Sequence, residues 1–119
     1  MGPVDWVAVL AAAAIALGLG LAWPGSGWRG AGRITALAAA SFLAAAMFGH
    51  SFARIGAETM AAKPWLYPMQ TGGIALAFVI PAFAASHAAR GAGVGAGLRD
   101  GAYWLVAYLA MGAAFWALA

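Results

Sequence analysis

The charged side chains of this chain sit in small groups separated by long uncharged runs, and that spacing limits its fold more than any motif. No Asp, Glu, Lys or Arg lies between Asp5 and Arg29, between Arg33 and Arg54, between Lys63 and Arg90, or after Asp100. An unpaired charge is costly in an apolar medium, and a membrane helix needs ~20 mostly apolar residues. Composition agrees: the 119 residues are 66% hydrophobic and 8% charged, against roughly 45–50% and about 25% in a soluble domain. A soluble protein of this size would lack the polar side chains to cover its own surface, so the bilayer is the solvent that makes this composition sensible.

The runs predict an all-α fold, an integral membrane four-helix transmembrane bundle formed by a single domain over residues 1–119. The helices are expected at 4–23, 34–52, 72–89 and 102–118, the second extending to 61 if it continues past the hydrocarbon boundary. "WPGSGW" stops the first helix, with Trp23 and Trp28 suited to the headgroup belt. That first run lacks a positive leader, carries Asp5 and is too long for a cleaved signal, so it reads as a retained helix. No alternating stretch competes as a barrel strand. Ala36, Ala40 and Ala44 on one face of the second helix, with Gly18, Gly20, Gly73 and Gly112, allow close helix approach, either inside the bundle or in a homo-oligomer.

Arg29 and Arg33 lie in the first loop, and Arg90 and Arg99 in the third. The middle loop has Arg54 and Lys63, offset by Glu58. The excess of basic residues predicts cytoplasmic odd-numbered loops and two periplasmic termini. The net charge of +3 comes from dispersed residues rather than a dense patch, which argues for orientation signals and against nucleic acid as a partner. Cysteine is absent, which excludes disulfides, thiolate metal sites and thiol nucleophiles.

The one long polar interruption is "FGHSFARIGAETMAAKPWLYP", residues 48–68. His50, Arg54 and Glu58 are spaced four apart and would share one face if the second helix continued through them. They form the candidate outer polar cluster. The competing and favoured reading is a solvated helix end that turns at "AAKPWLYP". There Lys63 snorkels, Pro64 and Pro68 stiffen the turn, and Trp65 and Tyr67 anchor it at the interface.

His50 and His87 are the only histidines, each a candidate single ligand to a haem or a bacteriochlorophyll-type magnesium. They are expected in opposite leaflets, on the order of 20 Å or more apart at ~1.5 Å rise per residue, so both cannot hold one metal within a subunit. The leading expectation is no cofactor and no metal. "RGAGVGAGLRDG", residues 90–101, lacks the Lys and Ser/Thr of a phosphate loop and reads as a flexible linker, with Asp100 and Gly101 opening the last helix. Pro81, within the third span, removes a backbone hydrogen bond to Ala77 and is a kink or a hinge. No carboxylate lies deep in a span and no catalytic constellation is present, so the chain is not expected to be an enzyme.

Length and span number are similar to those of the small multidrug resistance exporters, but Ala11 to Ala14 occupy the centre of the first helix where those proteins carry a glutamate. The polar signature of the fluoride channels is also missing. The stretch "ASHAARGAGVGAGLRDGAYWLVAYLAMGAAFWAL" resembles the C-terminal hairpin of a family of uncharacterised small bacterial four-helix membrane proteins. Asp100, Tyr103, Met111 and Gly112 match its outline, with Ala102 inserted before the tyrosine. The resemblance implies a multi-pass protein of the bacterial inner membrane and no catalytic residue. The expected function is a structural or accessory subunit of a larger respiratory or photosynthetic membrane complex. Its partners would be lipids and other membrane subunits or copies of itself. The alternative is a small homo-oligomeric transporter or channel.

Overall fold

Asp5 starts the first helix by lending its side chain: Oδ1 accepts the Ala8 N–H at 3.0 Å, filling one of the donors a helix start leaves open. The computed structural model describes residues 3–23 and 30–119, all helix or connection with no strand among them; Trp28 and Arg29 lie outside the described residues. Helix α1 (Trp6–Ala22) is followed by α2 (Ala31–Ile55), a short α3 (Ala57–Ala62), α4 (Leu66–Ile74), a π-helical segment Ala75–Val79, α5 (Ile80–Ala89) and α6 (Val94–Ala117).

Three boundaries differ from those expected, each for a local reason. Gly56 adopts φ 101, a left-handed conformation that suits glycine, and so α2 ends at Ile55 instead of running to 61. The next long helix begins at Leu66 because Pro68 falls in its first turn, where an absent N–H removes no helical hydrogen bond. Gly93, at φ 92, caps α6, and the helix then absorbs most of the glycine-rich stretch expected to be a linker. Pro81 is accommodated just after the π-helical turn: Ile80 N–H reaches back five residues to Ala75 O, and the helix stays continuous from Leu66 to Ala89.

The helices are packed in the order α2, α1, α6, then α4 with α5, neighbours running antiparallel. The Cα envelope of 46 × 28 × 19 Å is accordingly flattened. At the end where α2 finishes, aromatic rings close the row. Phe52 meets Tyr67 at 4.9 Å and Phe115 at 5.1 Å, and Phe48 meets Tyr108 at 5.1 Å. Met60 of α3 is buried in the same core.

Glycine sets how closely α6 approaches its neighbours. A Cβ on Gly97 would lie 2.5 Å from Phe83 O and 2.7 Å from Ala84 Cα; one on Gly101 would lie 3.0 Å from Ile80 Cα. These are backbone contacts, which cannot swing aside as a side chain could. Gly97 and Gly101 form the four-residue small-residue spacing that brings helices together in membranes. Gly20 and Gly112 also sit at tight contacts, whereas Gly18 and Gly73 face open space. Ala36 and Ala40 are exposed and Ala44 is half-buried, so that stripe lies mostly outside the core.

Two segments, Ala31–Ile55 and Leu66–Ala89, are long and apolar enough to cross a membrane, while α1 is shorter at 17 residues. Gly97→Ala is expected to lower the thermal unfolding midpoint in mild detergent, with a loss of about 1–3 kcal/mol from overpacking. Gly95→Ala, where nothing lies within 4 Å, should leave the midpoint unchanged or raise it. Circular dichroism on the two variants checks the difference.

Candidate functional site

The polar stretch expected to form an outer cluster does not assemble as one. His50 and Arg54 lie a turn apart on α2, both exposed, but Gly56 breaks the helix before Glu58, which sits on α3. Arg54 and Glu58 form no ion pair among the described residues. The His50 ring is held from two sides. Its Nδ1 donates to Ala46 O at 2.8 Å, and the Trp6 ring meets it edge-on at 5.7 Å. That tautomer leaves Nε2 pointing outward with its lone pair.

The expected anchors divide. Trp65 is exposed at the start of α4. Tyr67, expected at the interface, is instead 6% exposed and packed on Phe52, because the first turn of α4 directs it into the aromatic end of the core. Trp23 is half-buried, its ring edge-on to Tyr103 at 5.4 Å.

A polar pair that sequence reasoning missed lies at the opposite end. His87 Nδ1 faces Phe83 O at 2.8 Å, and Nε2 faces Asp100 Oδ2 at 2.9 Å. Both ring nitrogens are thus engaged by protein oxygens, one on its own helix and one on the carboxylate of α6. The imidazole is 12% exposed and the carboxylate 48%, so the pair sits at a wet edge rather than in the core. It joins α5 to α6 in the part of the hairpin where Gly97 brings the two backbones together. With both nitrogens engaged, His87 offers no free lone pair to a haem iron or chlorin magnesium, whereas His50 keeps one. Among the described residues no group of three or more His, Cys, Asp or Glu could hold a metal ion.

Two further hydrogen bonds lie between and along the helices. Tyr103 OH donates to Ala16 O at 2.7 Å, tying α6 to α1, and Thr71 Oγ1 donates to Tyr67 O at 2.9 Å, where it packs against Gly112. The Ser41 hydroxyl is buried in α2 with no partner among the described residues. The chain was compared with protein-family models, with curated proteins and with solved structures, and none matches it.

Asp100→Asn and His87→Ala should each cost about 1 kcal/mol, the modest scale of a charge-assisted bond that is partly open to water. The double variant should cost little more than either one, and His50→Ala should leave the unfolding midpoint in place. A double-mutant cycle on thermal unfolding in detergent reads all three. Ser41→Ala removes an unpartnered buried hydroxyl, and the same measurement should show it neutral or stabilising by up to about 1 kcal/mol.

Proposed function

We propose that this protein is a four-helix integral membrane bundle that serves as a structural or accessory subunit, packing its outer faces against a larger membrane assembly. The observation that carries the reading is the distribution of exposed apolar side chains over every long helix. Val7 is 71% exposed, Leu43 68%, Leu76 59%, Phe78 70% and Trp116 61%. In water such a surface would drive aggregation; in a bilayer it is the expected outer face. The hydrogen-bonding side chains at Tyr103, Thr71 and His87 meanwhile reach protein oxygens within the subunit. That favours a packing role over a polar route for solute.

The basic residues support an orientation. Arg33, Arg90 and Arg99, with Asp100, belong to the end where α2 begins and α5 meets α6, and Arg54 and Lys63, with Glu58 and Asp5, belong to the opposite end. The first end is the cytoplasmic one by the excess of basic residues, leaving both chain ends periplasmic.

Purification of the full chain from its native membrane in gentle detergent, followed by mass spectrometry and absorbance, tests the reading. Larger membrane subunits are expected to co-purify in fixed ratio. A partner-free homo-oligomer that conducts solute in liposomes would instead make it a transporter or channel.

A further inference from the structure

An open apolar groove runs between the start of α4 and the end of α6, with a volume of about 460 Å³. Leu109, Gly112 and Trp116 line one wall along two turns of α6; Trp65 and Pro68 line the other. At roughly 30 Å³ per water-sized group, the groove has room for about fifteen such groups, the scale of one hydrocarbon chain. Trp65 and Trp116 are 56% and 61% exposed, the half-wet setting that suits indole rings at the headgroup level. Lys63 directly precedes the proline that begins the lining; it is exposed and has no carboxylate partner among the described residues.

We propose that this groove binds one acyl chain of an anionic phospholipid, with the lipid's phosphate held by Lys63. The proposal rests on the membrane reading. The apolar walls accept the chain without needing any polar partner, and the exposed ammonium of Lys63, next in the chain to the lining Pro64, supplies the charge that distinguishes an acidic headgroup from a zwitterionic one. Glu58, on α3, is the nearest acid in the sequence, and neither it nor Asp5 forms an ion pair with Lys63 among the described residues.

The test uses the purified full chain in mixed micelles containing equal phosphatidylglycerol and phosphatidylcholine, with retained lipid read by native mass spectrometry. The wild type should retain phosphatidylglycerol about fivefold over phosphatidylcholine, the scale of one cation near an anionic surface. Lys63→Gln, an exposed change that leaves the helices intact, should still retain lipid but lose the preference. Ala113→Trp, which fills the groove from its α6 wall, should reduce the retained lipid by one molecule. Equal retention of the two lipids by the wild type would overturn the proposal. So would an unchanged preference in Lys63→Gln, or undiminished retention in Ala113→Trp. A carbonate wash of native membranes is read separately: release of the protein there would sink the membrane reading itself, whatever the lipid comparison gives.

Discussion

Helix α6 comes closest to its neighbours where its own surface is cut down to backbone, and the rest of the structure depends on that contact. Gly97 meets the carbonyl of Phe83, Gly101 meets Ile80, and Gly112 meets Thr71. Lipid tails are as apolar as leucine, so two helices in a bilayer gain little by hiding greasy side chains from one another. They associate through van der Waals contact at short range and through interhelical hydrogen bonds. The α5–α6 hairpin has both: a backbone-to-backbone seam at Gly97 and Gly101, and the His87–Asp100 pair near its turn. Helix α5 has no buried residue, so this seam with α6 is what holds it.

The same economy governs the polar groups. Tyr103 uses its hydroxyl to reach the carbonyl of Ala16 across the α1–α6 contact, beside Gly20, where a side chain would collide with that hydroxyl at 2.8 Å. Thr71 turns its hydroxyl onto its own helix and offers its flank to Gly112. Small residue and bonded polar residue thus occur side by side at the contacts, the glycine providing room, and at the α1–α6 contact the Tyr103 hydroxyl also ties one helix to the other. Ser41 is the exception, buried on α2 without a partner.

The helical class and the approximate helix positions were legible because charge and apolar length carry them directly. What escaped the sequence was tertiary. "RGAGVGAGLRDG" looked like a linker because glycine lowers helix propensity by about 1 kcal/mol per residue. Packing against α5 outweighs that cost, and α6 begins at Val94. A loop reading of those residues hides the pairing of His87 with Asp100, although a lone acid facing a lone histidine across a short turn is a usable signal. Tyr67 departs from expectation for a related reason: its proline neighbours indicate a turn, but Pro68 occupies a first helical turn and Tyr67 is carried inward. The helix break between Arg54 and Glu58 turned on Gly56, and a single glycine in a sequence does not announce a left-handed conformation.

We propose that the helices cross a bilayer in alternating directions, with the α5–α6 turn on one side and α3 on the other. The chain contains no cysteine, so a single introduced thiol reports its own location. Ala92→Cys, in the α5–α6 turn, and Thr59→Cys, in α3, should be labelled by a membrane-impermeant maleimide from opposite faces of sealed vesicles, Ala92→Cys from the cytoplasmic face. Labelling of both positions from the same face would contradict the account.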